Sequence, residues 1–310
     1  MLAVHYIPLH ENQNFVGRQE ILSKLNDKPF NQAGFQQVAL VGLCGIGKPQ
    51  VALKLAYTVK AKHPGYSVFW LTAASMDGYR NSCKALAGHL KLETAGSEDS
   101  RILVKDYLET EKGGKWLLVT DNADDTSLFN APINENRISS FLPRSEKERI
   151  VYTTRSKEVS RSALEGDDGL ELEEMLSGEL ATILMRGVNG FREEPQTDHQ
   201  ALINGLLSEP CHFPLAVAQA ADYMAANEIS IAEYLELLRE PDGGKFELLK
   251  YKHIDNMHIQ NSQGVVATTW VITFQQIQKT SLDAVNLLRF IAKVDSQAIP
   301  KPMLPGSDKK

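Results

Sequence analysis

The stretch "VALVGLCGIGKPQVALKLAY", residues 38–57, decides how the rest of the chain is read. Val38 to Val41 form an apolar run that ends at a glycine-punctuated turn. Gly42, Gly45 and Gly47 crowd that turn, and Lys48 follows it. Val51, Leu55 and Val59 then recur at i, i+4 and i+8, flanked by Ala52 and Ala56. That spacing predicts a helix with one apolar face. Strand, glycine turn and helix in this order dictate a particular piece of chemistry. Glycines let successive backbone N–H groups turn inward and form a nest for an anion. The helix that follows points its partly positive N-terminus at the same place.

Working outward, four more strand candidates appear: "SVFWLTA" (67–73), "KWLLVTD" (115–121), "RIVYTT" (149–154) and "GLELEEM" (169–175). With "QVALVGL" (37–43), the first four are continuously apolar rather than alternating. Strands buried on both faces read this way, as in a parallel sheet covered by helices. Strand and helix alternate to about residue 175, which predicts an α/β layered domain. After residue 176 only helical patterns follow. Leu180, Ile183, Leu184 and Val188 mark one helix, "PLAVAQAADYMAA" a second, and "SIAEYLELL" a third, opened by the capping pair Ser230 and Glu233. Val266, Trp270, Phe274 and Ile277 predict another, and Ala284, Leu287, Leu288 and Ile291 a last.

Bulk properties narrow the function classes. The 310 residues suffice for one large domain or two modest ones. A net charge of −6 argues against a nucleic-acid binder. The basic stretch "PRSEKERIVYTTRSKEVSR" is interleaved with glutamates and reads as a solvated surface. Cys44, Cys83 and Cys211 lie far apart with no paired spacing, which speaks against zinc and against a disulfide framework. No apolar run is long enough to span a membrane. A cytoplasmic protein without membrane or nucleic-acid partners is the expectation.

The turn matches the phosphate-binding pattern G-x-x-x-x-G-K-[ST] at Gly42, Gly47 and Lys48, and departs from it at Pro49. Three fixed positions arise by chance in roughly one chain of this length in ten, so context decides. The context is favourable: "KWLLVTDNADD" supplies an apolar strand ending in Asp121, the arrangement that sets a carboxylate beside a metal ion. Lys48 is then the charge for the terminal phosphates. Pro49 has neither the hydroxyl that ligates Mg²⁺ nor a backbone N–H. It also disfavours the helical region for Lys48 and so threatens to mis-aim that side chain. Mg²⁺ use is therefore expected to be weakened or lost, while the fold survives.

Taken in order, these segments resemble the NB-ARC module of STAND-type switch proteins, above all fungal NOD-like receptors. "FVGRQEIL" (15–22) resembles the segment that leads to the adenine, and "VGLCGIGKPQVAL" resembles GLGGIGKTQLAL. "VFWLTA" resembles the second strand, "WLLVTDNADD" the Walker B strand, and "IVYTTRS" the strand whose arginine senses the γ-phosphate. "CHFPLAVAQAADYM" resembles the GLPLA segment, and "VVATTWVITFQQI" the start of a winged helix. The resemblance implies a P-loop NTPase three-layer α/β domain (1–176), an all-α helical subdomain (177–258) and an incomplete winged-helix subdomain (259–310). It implies that Val16, Gly17 and Arg18 border the adenine. Gly42, Gly45, Ile46, Gly47, Lys48, Pro49 and Gln50 line the phosphates, and Pro214 closes over the base or sugar. Asp121 faces magnesium and Arg155 reads the γ-phosphate, as the two catalytic positions.

ADP and ATP are the implied ligands, and a homo-oligomer or pairing with full-length relatives the implied assembly. Asn122 stands where many relatives carry a second acid, and neither Asp124 nor Asp125 is obviously placed to substitute. The family's histidine-containing lock, sensor repeats and N-terminal effector domain are not found within these residues, so a reduced member is expected. The resemblance implies a nucleotide-dependent switch in innate-immune signalling with slow hydrolysis, and Pro49 in place of the Mg-binding Ser/Thr makes weak or absent hydrolysis the expectation. A non-catalytic interaction scaffold with a vestigial pocket is the competing expectation, and a fast P-loop ATPase or kinase a third.

Overall fold

The computed structural model describes residues 3–31, 36–92, 99–130, 137–144, 148–188, 199–208 and 213–239. Its strands are β1 (His5–Tyr6), β2 (Gln36–Val41), β3 (Tyr66–Thr72), β4 (Lys115–Asp121), β5 (Glu148–Thr154) and β6 (Leu170–Glu171). They form one sheet in the order β1-β3-β4-β5-β2-β6, and every neighbouring pair is parallel. The helices between the strands are α1 (Gln19–Asn31), α2 (Lys48–Lys62), α3 (Met76–His89), α4 (Ser100–Glu109), α5 (Thr126–Asn130) and α6 (Lys157–Ala163). Helices alone follow β6 among the described residues: α7 (Ser177–Gly187), α8 (His199–Ser208), α9 (Pro214–Asn227) and α10 (Ile231–Arg239).

Continuous apolar strands have both faces covered, as their sequence requires. Ala39, Val41, Phe69, Leu71, Leu118, Ile150 and Tyr152 line one face, packed with Tyr79 and Leu86 of α3, Val104 and Leu108 of α4, and Val159 of α6. Strand alternation puts Val38, Leu40, Val68, Trp70, Leu117, Val119 and Val151 on the other face, all buried. There α2 packs across β2, β3, β4 and β5, and its stripe Val51, Leu55 and Val59 is buried. Each such aliphatic side chain contributes about 1.5–3 kcal/mol relative to exposure. The layers are those of a P-loop NTPase α/β domain followed by an all-α layer.

Two strands differ from their sequence expectation. β1 is too short to leave a periodic signal; it pairs with β3, and Val4 N–H beside it donates to Ser67 Oγ at 3.0 Å. β6 spans two residues where seven were expected. The Leu172 N–H still donates to Val41 O at 2.7 Å, but the Glu173 carbonyl is taken by Arg18 Nη1 at 2.6 Å. A side chain from outside the sheet thus replaces a neighbouring strand. The helical patterns at 266–277 and 284–291, and with them the winged-helix segment, lie outside the described residues, as do Cys211 and His212.

Residues 1–236 form one compact unit. Within it α7 packs on α8 and α9, burying Leu180, Leu184, Val217, Ala220, Ala221 and Met224. The Ser230–Glu233 capping box is formed at the start of α10: Ser230 N–H donates to Glu233 Oε2 at 2.7 Å, and Glu233 N–H donates to Ser230 Oγ at 3.2 Å. α7 and α9 approach closely at Gly187, where an added Cβ would lie 2.5 Å from the Ala221 Cβ. Helix propensity alone makes Gly187→Ala stabilising by up to about 1 kcal/mol. Overpacking at this crossing reverses the sign. Gly187→Ala is expected to destabilise the chain by about 1–3 kcal/mol in urea denaturation. A raised midpoint would show that α7 and α9 can part without cost.

Candidate functional site

The loop between β2 and α2 has the backbone its glycines require. Gly45 has φ +78° and Gly47 φ +97°, values that a side chain rarely tolerates. Between them Ile46 turns inward and is buried. The Val51 N–H donates to Gly47 O at 3.1 Å, the first bond of α2. The N–H groups ahead of it have no call on them within the helix. The loop thus presents inward-curving amides and a helix N-terminus at one point, a geometry suited to an anion.

Lys48 opens α2 in spite of the proline that follows it, so the expected bias away from the helical region does not displace it. Its Nζ donates to the carbonyls of Gly42 at 2.7 Å and Leu43 at 2.9 Å, and the residue is only 6% exposed. Burial lowers the Lys48 pKa; Asp124, then Cys44 and Asp121, oppose that shift, and Arg155 adds to it. All these groups therefore lie in one electrostatic neighbourhood.

Strand order explains how they meet. β5 lies between β2 and β4, so the residue after β5 sits between the glycine loop and the end of β4. Asp121 ends β4, is 6% exposed, and accepts a short hydrogen bond from the Thr153 hydroxyl on β5. Arg155 follows β5 and is held by Asp124: its N–H donates to Asp124 Oδ1 at 2.5 Å and its Nε to Oδ2 at 2.7 Å. Asp124 is the residue that sequence reading set aside. It reaches Arg155 because Asn122 adopts φ +57°, with its N–H on Thr153 Oγ1 at 2.9 Å, and turns the chain back. Asparagine tolerates that conformation better than most residues, which gives position 122 a conformational reason of its own. Asp125 instead accepts from Ser127 N–H at 2.8 Å at the start of α5.

Three further segments touch the loop. Arg18, at φ +60°, donates from Nη2 to Ile46 O at 3.1 Å, and its N–H donates to Glu179 Oε1 of α7 at 3.3 Å. Burial lowers the Arg18 pKa, against the pull of Glu179 and Glu173. Val16 and Gly17 lead directly into this brace. The Leu215 N–H, one residue after Pro214, donates to Gly45 O at 3.3 Å. Asn12 donates to the Gln50 side chain at 3.0 Å. The candidate residues Gly42 to Gln50, Asp121 and Arg155 are thus gathered at one end of the sheet, with Arg18 and the start of α9 against the loop.

The donor set suits phosphate better than a protein-held metal. Pro49 offers no side-chain oxygen, and no grouping of three or more His, Cys, Asp or Glu occurs among the described residues. Asp121 is the carboxylate that ends β4, and it is already hydrogen-bonded. No helix among the described residues is long and apolar enough to cross a membrane.

The desolvated lysine yields a stability prediction. A lysine whose folded pKa lies below its ordinary 10.5 destabilises the fold in its charged form. That cost is fully present below the folded pKa and fades as pH rises toward 10.5. Lys48→Met is therefore expected to gain about 1 kcal/mol at pH 7, with the gain shrinking by pH 9.5. Urea denaturation at both pH values checks this; a loss at pH 7 would mean that the carbonyl bonds outweigh burial.

Comparison with known proteins bears on the same residues. The NB-ARC domain matches residues 18–190. A nucleotide-binding leucine-rich repeat (NLR)-like protein of Hyaloscypha variabilis is 31% identical over 99% of this chain. Disease resistance RPP13-like protein 4 of Arabidopsis thaliana is 22% identical over 62% of it. The matches cover 32% and 23% of those two proteins, so the chain spans about a third of their length or less. Among solved structures, the Aeropyrum pernix ORC2 protein in its ADPNP-ADP complexes superposes with a TM-score of 0.53 at 15% identity. That likeness covers 91% of this chain and 77% of the other, and it concerns the fold.

Proposed function

We propose that this chain, which belongs to the NB-ARC family, is an adenine-nucleotide switch module of NOD-like-receptor type that takes ADP and ATP and hydrolyses ATP slowly or not at all. One observation carries the reading: the glycine loop, Lys48, Asp121 and Arg155 converge where β2, β5 and β4 end. The loop amides and the α2 N-terminus hold phosphate oxygens, and Lys48 exchanges its two carbonyl partners for them. Arg155 answers to the terminal phosphate, and Val16 and Gly17 pass beside the base. Pro214, at the first position of α9, covers the nucleotide from the helical layer.

Slow turnover follows from two positions. Pro49 removes the hydroxyl oxygen that would hold magnesium, leaving Asp121 and the phosphates to do so with water. Asn122 cannot act as a base. A switch needs only differential affinity of two nucleotides for two arrangements of the chain, not fast chemistry. The bonds Leu215 N–H to Gly45 O and Arg18 to Ile46 O supply the mechanical link, because any shift of the loop moves α9 or the arm that carries Arg18. Partners in this reading are a second copy or longer relatives in the cytoplasm, with no role for nucleic acid. The helical subdomain then runs from 177 to 258, and a winged-helix part begins at 259.

Calorimetric titration with ADP and ATP, each with and without Mg²⁺, tests the reading on the unsubstituted chain and on Pro49→Thr. ADP is expected to bind with little dependence on magnesium. The Thr variant is expected to gain magnesium-dependent ATP affinity of about tenfold, the worth of one good oxygen ligand or charged hydrogen bond. Binding of no nucleotide by either protein would leave a non-catalytic scaffold as the better account.

A further inference from the structure

We infer that Asp124 sets a preference for nucleoside diphosphate over triphosphate, by holding Arg155 and repelling a terminal phosphate; this rests on the nucleotide reading above. Three carboxylates lie at the end of β4 and on the turn that follows it, and their engagements differ. Asp121 is tied to the Thr153 hydroxyl, and Asp125 serves the start of α5. Asp124 is paired with a cation of the site, gripping Arg155 through both its backbone N–H and its Nε.

Its charge also reaches the loop. Asp124 is the foremost group opposing the effect of burial on Lys48. A phosphate chain that replaces the carbonyl partners of Lys48 therefore lies within the field of Asp124. Two phosphates can be met by the loop amides and Lys48. A third adds charge inside the cluster of Lys48, Arg155 and Asp121, where the guanidinium is already neutralised by Asp124. The third phosphate must displace Asp124 from Arg155 or share it, and in either case faces a like charge. The pair is 36% exposed on the Arg155 side and 23% on the Asp124 side, so it is weak enough to be exchanged. It biases the site without closing it to ATP.

Asp124→Asn separates charge from geometry, because the amide oxygen still accepts from the Arg155 N–H while the negative charge is gone. Affinities for ADP and ATP are measured on the full chain by calorimetry in EDTA, so that magnesium neutralises no phosphate charge. The ratio of ATP to ADP affinity is expected to rise about tenfold, with ADP affinity changed by less than about threefold. Asp125→Asn, which removes a charge one residue away, leaves the ratio unchanged. Asp124→Ser gives the same readout should the Asn variant not fold, thermal denaturation deciding which is used. An unchanged ratio, or weaker ATP binding with ADP binding retained, overturns the inference and makes Asp124 a positioning residue for Arg155. Absence of all nucleotide binding by the unsubstituted chain overturns the parent reading instead, and this inference with it.

Discussion

The insertion of β5 between β2 and β4 is the constraint on which the rest of this site depends. Thr154 pairs with Val41 on one side, and Tyr152 pairs with Thr120 on the other. This register ends the three strands together. Further backbone bonds seal those ends: Gly42 N–H to Thr154 O at 3.3 Å, and Ala123 N–H to Thr153 O at 2.8 Å. The glycine loop, the acid at the end of β4 and the arginine after β5 are neighbours only through this pairing. A one-residue slip of β5 would turn both Val151 and the Thr153 hydroxyl to the other face of the sheet and take the Thr153 hydroxyl away from Asp121. The apolar side chains that lock the register are therefore as necessary to the site as its charged ones.

Around that fixed centre the loop is held from two directions. Arg18 binds the carbonyl of Ile46, and α9 binds the carbonyl of Gly45. Across a planar trans peptide the N–H of the following residue points opposite to the carbonyl, so the Ile46 and Gly47 amides face away from these partners, the Ile46 N–H toward Leu43 O at 3.5 Å. The brace and the nest are two sides of one backbone conformation. Glu179 strengthens the connection, since it accepts from both Arg18 N–H and Leu176 N–H and so ties the arm to the head of α7. The helical layer is thus coupled to the phosphate loop by hydrogen bonds to the main chain, independently of any side chain that touches a ligand.

Much of this was legible in the sequence, for a physical reason. Strands buried on both faces are continuously apolar, so β2, β3, β4 and β5 announce themselves. The stripe Val51, Leu55 and Val59 announces α2, and the glycines with Lys48 announce the loop. What was not legible depends on single backbone angles and on side-chain aim. The run "DNADD" contains Asp124, but nothing in it says that Asn122 enters the left-handed region and swings Asp124 onto Arg155. Arg18 is read in "FVGRQE" only through the family resemblance, as a residue bordering the adenine; the hydrogen bond from its guanidinium to the loop comes from the structure alone. Strand β1 pairs over two residues, below the length at which alternation can be seen.

Pro49 illustrates how a helix start accommodates a residue with neither an N–H nor a side-chain oxygen. The second residue of a helix has no carbonyl four positions back to receive its N–H. Here the first intrahelical bond comes from Val51. Proline at position 49 therefore deletes no bond of α2, and its fixed φ suits the first turn. Its ring is only partly buried, and the stripe that packs α2 on the sheet begins two residues later. What proline lacks here is one N–H and one hydroxyl at the mouth of the loop, and no bond of α2 needs either. Stability thus offers no resistance to the loss at this position. At Lys48 stability alone would favour replacement, since a buried ammonium held by two carbonyls is a cost that the fold bears. The first turn of α2 therefore holds side by side a residue that spares the fold, Pro49, and one that costs it, Lys48.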